Sequence, residues 1–143
     1  MRIIGLLSIA LLLAAGRPTE QAPQPATPPV GTMMELMTSM VYPAANDLLL
    51  FGQRTPTNDK EWMAVQRSAV LLAESGNVLM MPGRSRDQGE WAKNARLLVD
   101  AGAAAYRAAR AKDAVALAGL DASINASCLG CHKQYRPNVH PRP

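Results

Sequence analysis

The two cysteines of this chain and the histidine that follows them are the residues best suited to chemistry. They form the run Cys128-Leu129-Gly130-Cys131-His132, a C-x-x-C-H pattern. Two thiols three residues apart lie on one side of a helical turn, where each can form a thioether with a vinyl group of haem. The next residue can bind the iron as an axial ligand. The pattern predicts one covalently attached haem c, with Cys128 and Cys131 as attachment points and His132 as a metal ligand.

Three other uses of the cysteine pair are weighed against haem attachment. A closed zinc site needs four ligands, and only His132 and His140 are available to complete one, with His140 placed among prolines. A thioredoxin-like dithiol is expected inside alternating strands and helices, a pattern this sequence lacks. A structural disulfide would leave His132 without a role. Haem attachment is the interpretation that uses all three residues.

The first residues predict export. Met1-Arg2 precedes the apolar run from Ile3 to Ala15, which is typical of a secretory signal peptide over residues 1–16. This run is shorter than the roughly twenty residues that span a bilayer. We therefore expect a periplasmic protein, in contact with a membrane only if the segment stays uncleaved. Export suits haem attachment because the thiols leave the reducing cytoplasm.

Composition divides the remainder of the chain. Residues 17–31 are rich in proline and predict a disordered linker, residues 32–137 suit one folded domain, and residues 138–143 predict a flexible tail. The formal charge is +4, and the arginines are scattered with few aromatic residues among them. This pattern argues against a nucleic-acid partner.

The hydrophobic spacing predicts an all-α domain of four helices. Each helix has a capping residue at its start, and glycine or proline marks most of the ends. Short connections between long helices favour an antiparallel up-down-up-down four-helix bundle, with the haem attached near the end of the last helix. Aromatic residues are only 4% of the chain, so a buried haem would supply apolar area that the core lacks. The predicted starts are Thr32, Asn58, Asp87 and Asp113, the predicted ends are Gly52, Pro82-Gly83 and Pro137, and a kink is predicted at Pro43.

The end of the last predicted helix carries a family resemblance. After His132 the chain continues Lys133-Gln134-Tyr135-Arg136, and the whole stretch from Thr32 onward resembles the class II c-type cytochromes, the cytochrome c-prime superfamily. The resemblance implies that His132 is the proximal iron ligand. It places Arg136 near the proximal face of the haem or a propionate, although a cation at a helix C-terminus is an equally good interpretation. Tyr135 is interpreted as a packing residue.

The resemblance also implies that the first helix faces the other side of the haem. Members with an apolar residue there bind nitric oxide or carbon monoxide, whereas members with a methionine carry electrons. A thioether suits haem iron, and methionine is also a common residue of cores. Met37 is the predicted sixth ligand, with Met34 next, because Met37 is central and a Leu-Met pair precedes a proline in similar chains. The candidate ligands are Met33, Met34, Met37 and Met40.

Three functions follow for comparison. The leading one is a periplasmic electron carrier, not an enzyme, that meets other redox proteins through transient contacts. The second is a five-coordinate protein that binds nitric oxide or carbon monoxide. The third is a helical interaction module without haem. The resemblance further implies that a homodimer could form through the first two helices.

Overall fold

The fold is described here from a computed structural model, which covers residues 28–136. Every regular element in this range is helical, so the all-α prediction is confirmed for it. The predicted signal peptide, most of the predicted linker, Pro137 and the predicted tail lie outside the described residues. The elements are α1 (Met33–Leu36), a π-helical segment (Met37–Val41), α2 (Tyr42–Leu49), a 3₁₀ turn (Phe51–Gln53), α3 (Asp59–Leu79), α4 (Glu90–Ala111), α5 (Ala114–Ala118) and α6 (Asp121–Tyr135).

Three of the four predicted helix starts are confirmed. Thr32 and Glu35 form a capping box, in which Glu35 N–H donates to Thr32 Oγ1 at 3.2 Å and Thr32 N–H donates to Glu35 Oε2 at 2.8 Å. Asn58 accepts a hydrogen bond from the backbone of Glu61 at the start of α3. Asp113 accepts one from Ala116 at the start of α5. These bonds satisfy backbone N–H groups that the first helical turn leaves unpaired.

The prediction that Asp87 opens the third helix is wrong. Helix α4 begins at Glu90, and Gly89 precedes it without a side-chain cap. Asp87 instead stands before the helix, where its Oδ1 accepts hydrogen bonds from the N–H groups of Gly89 at 2.8 Å and Trp91 at 3.1 Å. The carboxylate thus reaches the same unpaired N–H groups from a turn rather than from the cap position.

The predicted last helix is also interrupted. It ends as α5 at Ala118, passes through Gly119 and Leu120, and resumes as α6 at Asp121. The earlier boundaries differ as well, since α2 ends at Leu49 before a 3₁₀ turn that contains Gly52, and α3 ends at Leu79. Gly83 follows with φ +82°, a left-handed conformation that favours glycine.

Pro43 changes the helix without breaking it. The five residues before Tyr42 form a π-helical segment, in which Tyr42 N–H donates to Met37 O, one residue farther back than in an α-helix. Proline has no N–H and its ring collides with the carbonyl four residues earlier in a regular α-helix. The wider π turn relieves this clash, and the chain continues directly into α2.

Helices α3 and α4 pack through small residues. A Cβ added at Gly102 would lie 2.5 Å from Ala73 N, and one added at Gly76 would lie 2.7 Å from Ala95 O. Buried alanines surround these glycines, including Ala69 and Ala105, which are fully buried. The core between α3 and α4 is therefore filled by backbones that lie close together. This packing explains the low aromatic content without the apolar area of a haem. Trp62 and Trp91 are buried in this core as well.

The last helices lie over this pair. Helix α6 packs mainly on α4 and also contacts α2, and Leu117 and Ile124 are buried in the core. The stretch Ala114–Tyr135 is long and apolar enough to cross a membrane by length and composition alone, and 17% of its most apolar window is buried.

Candidate cofactor-binding cavity

One cavity gathers five of the residues that the sequence nominates for the site. Its volume is about 420 Å³, and Cys128, Cys131, His132, Arg136 and Met37 all line it. The first four come from α6 and the residue after it, whereas Met37 begins the π-helical segment of the first helical stretch. Residues distant in sequence thus meet at one place.

The floor of this cavity is apolar and buried. A volume of a few hundred cubic ångströms with mostly apolar walls is typical of cofactor sites in proteins. Two buried polar residues, Asn94 and Ser127, also line it, and the Ser127 hydroxyl donates to Ile124 O at 2.9 Å. The buried apolar residues of the lining are Val41, Ala45, Leu79, Ala95 and Leu98.

A second cavity adjoins the first across the predicted ligands. It measures about 220 Å³, and Met37, Cys131, His132 and Arg136 line both cavities. The remaining lining of this smaller cavity is Met33, Met34, Arg86, Trp91 and Tyr135. The two spaces therefore meet at the turn that contains His132.

The cavities separate the four candidate methionines. Met37 lines both of them, whereas Met33 and Met34 line only the smaller one. Met40 lines neither and packs against the core. Among the four, only Met37 shares both cavities with Cys131 and His132.

A glycine within the motif allows α6 to approach α4. A Cβ at Gly130 would collide with Oδ1 of Asn94, and it would lie 3.1 Å from Asn94 Cγ. Asn94 is buried, and its Nδ2 donates to Glu90 O at 2.8 Å. Sequence analysis did not identify Asn94, because nothing in the local pattern of α4 distinguishes it from other polar residues. The glycine was the only local signal of a close approach.

Asp87 and Tyr135 connect the start of α4 to the end of α6. The Tyr135 hydroxyl donates to Asp87 Oδ2, and the Tyr135 ring packs edge-on against Trp91 with centroids 5.0 Å apart. The Trp91 indole N–H in turn donates to Leu79 O at 2.8 Å. Tyr135 therefore packs as predicted and also forms a hydrogen bond that the sequence did not reveal.

Hydrogen bonding and burial change the acidity of this pair. The bond from Tyr135 is the main cause that lowers the pKa of Asp87, and the two backbone bonds from Trp91 and Gly89 act in the same direction. Burial is the first cause that raises the pKa of Tyr135 to about 12, followed by the bond to the Asp87 carboxylate. An ionised Asp87 and a neutral Tyr135 are the forms that this contact favours.

The two thiols are held in their neutral forms. Burial raises the pKa of Cys128. Burial, followed by the charges of Cys128 and Asp87, raises the pKa of Cys131 to about 11. Both sulfur atoms face an apolar cavity, so a thiolate there would lose hydration. An uncharged thioether would be compatible with the same surroundings.

Two arginines bring positive charge to the smaller cavity. Arg86 and Arg136 both line it, and Arg136 Nη2 lies 3.8 Å from Met34 Sδ. The two ion pairs found within residues 28–136 involve other residues, Lys93 with Glu90 and Lys112 with Asp59.

The described residues do not provide the ligands that a zinc site would need. Within residues 28–136, three or more His, Cys, Asp or Glu side chains do not come together in a group that could hold a metal ion. His140, the remaining candidate ligand, lies outside this range.

Comparison with known proteins adds no relative. No protein-family model, no curated protein and no solved structure matches this chain. The resemblance to class II c-type cytochromes rests on the C-x-x-C-H run and the helical pattern alone. Cofactor, topology and activity are therefore proposals.

Proposed function

We propose that this chain is an exported class II c-type cytochrome that carries electrons between redox proteins through one haem c. One observation carries the proposal: Cys128, Cys131 and His132 line the same apolar cavity as Met37. The short connections at residues 50–58 and 80–89 favour an antiparallel up-down-up-down arrangement of the four helical stretches.

The residues around the cavities fit a haem. The apolar floor suits the macrocycle, and the two thiols are spaced for its vinyl groups. Arg86 and Arg136 can bind the two propionates, because guanidinium groups form strong charge-assisted hydrogen bonds with carboxylates. When bound, haem supplies a couple between ferric and ferrous iron whose potential depends on its axial ligands and surroundings.

Each residue of the chain has a separate task in this proposal. Cys128 and Cys131 would hold the macrocycle to α6, and His132 would supply an imidazole nitrogen to the iron. Met37, which lines the same cavities, would supply a thioether sulfur as the second protein ligand. The buried walls exclude water and limit rearrangement during electron exchange.

Expression in a host that matures c-type cytochromes tests the attachment. We expect a red protein whose mass exceeds that of the processed chain by roughly 616 Da, the mass of the added haem. Cys128→Ser with Cys131→Ser should abolish the covalent addition. A colourless wild-type protein with two free thiols would contradict the proposal and favour a helical module without haem.

The sixth ligand decides between electron transfer and gas binding. We expect a low-spin spectrum in both oxidation states, and we expect Met37→Ala to become high-spin and to bind carbon monoxide. Met40→Ala is the matched control, because Met40 lines neither cavity. A wild-type protein that is already high-spin would favour the five-coordinate gas-binding function. If Met34→Ala alone removed the low-spin spectrum, Met34 would be the ligand.

A further inference from the structure

The turn that contains His132 lies at a helix end with little burial. Helix α6 ends at Tyr135, and its buried residues, Ile124 and Ser127, both lie in its first half. From residue 128 to residue 136 the side chains are half-buried or exposed. Helix ends with little burial fray, so the burial of α6 alone does not explain how this turn keeps one position.

The side chain of Tyr135 ties this turn to the rest of the fold. Its hydroxyl donates to Asp87 Oδ2, and its ring packs edge-on against Trp91. Trp91 is 3% exposed, and its indole N–H donates to Leu79 O at 2.8 Å. The end of α6 is thereby joined to the start of α4 and to the end of α3.

Asp87 is a fixed acceptor for the Tyr135 hydroxyl. Its other oxygen, Oδ1, accepts from the backbone N–H groups of Gly89 and Trp91, and Ser85 Oγ donates to its backbone oxygen at 3.2 Å. The two ion pairs within residues 28–136 do not include this carboxylate. Hydrogen bonds from the backbone therefore fix the place at which the tyrosine is held.

Tyr135 transmits this restraint to His132. The two residues are three apart on one helix, so they are neighbours on its surface. Both line the smaller cavity together with Trp91, whereas Asp87 lines neither cavity. The backbone N–H of Arg136 donates to His132 O at 2.9 Å, so the helical backbone is continuous through Tyr135. A displacement of the tyrosine would move the backbone that carries the imidazole.

We propose that Asp87 and Tyr135 are positioning residues that hold the His132 imidazole in one orientation toward a bound iron. The inference rests on the proposed function and adds the part of the fold that regulates its iron ligand. Groups that orient an axial ligand tune the metal without binding it. Asp87 acts through Tyr135, and Tyr135 acts through the last turn of α6.

Hydrogen bonding, rather than the charge of Asp87, is the means of this restraint. Tyr135→Phe keeps the ring on Trp91 and removes only the hydroxyl. Asp87→Ala removes the partner of that hydroxyl. Asp87→Asn removes the charge but still bonds with a hydroxyl, because an amide both donates and accepts. Tyr135→Phe and Asp87→Ala should therefore release the turn, and Asp87→Asn should retain it.

Electron paramagnetic resonance of the ferric haem-loaded protein measures the orientation of the axial ligand. We expect one low-spin species for the wild type and Asp87→Asn, and more than one for Tyr135→Phe and Asp87→Ala. The reduction potential should shift less in Asp87→Asn than in Tyr135→Phe. The matched control is Tyr106→Phe, because Tyr106 on α4 is half-buried and lines neither cavity.

Hydrogen exchange followed by mass spectrometry measures the backbone of the same turn. The amides of residues 132–136 should exchange about tenfold faster in Tyr135→Phe than in the wild type, which is the effect of losing one hydrogen bond to a charged acceptor. Amides of α3 should exchange at the wild-type rate in both tyrosine variants. Circular dichroism, recorded first, identifies a variant that has unfolded.

The outcomes separate this inference from the proposed function. A haem-loaded Tyr135→Phe protein with one low-spin species and unchanged exchange would overturn the positioning role alone. A potential that shifts as much in Asp87→Asn as in Tyr135→Phe would also overturn it, because charge would then be the cause. The exchange result decides the inference for a high-spin iron as well, so a protein that binds gas instead of carrying electrons would not by itself overturn it. A wild-type protein that carries no haem would overturn both proposals.

Discussion

Replacing Gly130 with alanine tests the contact that brings the C-x-x-C-H turn against α4. The added Cβ would collide with Asn94 Oδ1. Asn94 is 6% exposed and holds a hydrogen bond to Glu90 O, so its amide cannot move aside without losing that bond. Either this bond breaks or α6 moves away from α4.

Three effects determine the size of the change. Overpacking a close contact costs about 1–3 kcal/mol, and loss of one hydrogen bond costs about 1 kcal/mol. Alanine gains about 1 kcal/mol over glycine inside a helix. We therefore expect Gly130→Ala to lower the free energy of unfolding by about 1–3 kcal/mol.

Urea unfolding of the purified protein, followed by circular dichroism, measures this free energy. Gly119→Ala is the control in the same part of the chain, because its Cβ would be 3.5 Å from the nearest heavy atom and its φ is −70°. It should be neutral or slightly stabilising. In an Asn94→Ala background the cost of Gly130→Ala should shrink by at least about 1 kcal/mol. Equal stability of Gly130→Ala and Gly119→Ala would refute the reasoning.

Three further predictions concern the core, acidity and the thiols. Gly102→Ala should lower the free energy of unfolding, measured in urea, by about 3 kcal/mol, because the added Cβ would collide with the backbone of Ala73. An unchanged free energy would show that α3 and α4 can move apart. Because the pKa of Asp87 is lowered in the folded protein, its carboxylate adds to the free energy of unfolding above about pH 3.9, and this contribution is lost as the pH falls through the pKa of the folded state. The free energy of unfolding of Asp87→Asn in urea should therefore decrease less in acid than that of the wild type. An unchanged dependence on pH would contradict the contact with Tyr135. With a pKa of about 11, the Cys131 thiol of haem-free protein is ionised in about one molecule in a thousand at pH 8. Iodoacetamide should therefore label Cys131 slowly in the folded protein and faster once urea unfolds the chain. Equal labelling rates in the folded and unfolded protein would contradict the burial of this thiol.

Local signals in the sequence predicted most of the helical architecture. The caps at Thr32, Asn58 and Asp113 were predictable because the partner of each cap lies within four residues. Asp87 was misassigned because an acidic residue before a helix can bind its N–H groups from a turn as well as from the cap. The interruption after Ala118 was missed because the apolar spacing continues through it.

The candidate site was most predictable where its residues are neighbours in the sequence. Spacing nominated Cys128, Cys131 and His132, since their chemistry depends on neighbours along one helical turn. The contacts of Gly130 with Asn94 and of Tyr135 with Asp87 join different helices, so a single sequence holds no sign of the partner. The choice of Met37 stays a prediction, although its place between the cavities separates it from the other three methionines.

The π-helical segment sets the rotation, about the helix axis, of the residues that precede it. One residue of an α-helix turns the chain by about 100°. Deleting Ser39, an exposed residue inside the segment, would restore uniform α-helical phase and rotate the preceding methionines by more than a quarter turn relative to Ala45. Met37 would then leave the boundary between the two cavities, with its chemistry unaltered. The number of residues before Pro43, as much as the sulfur itself, thus determines which thioether faces both cavities.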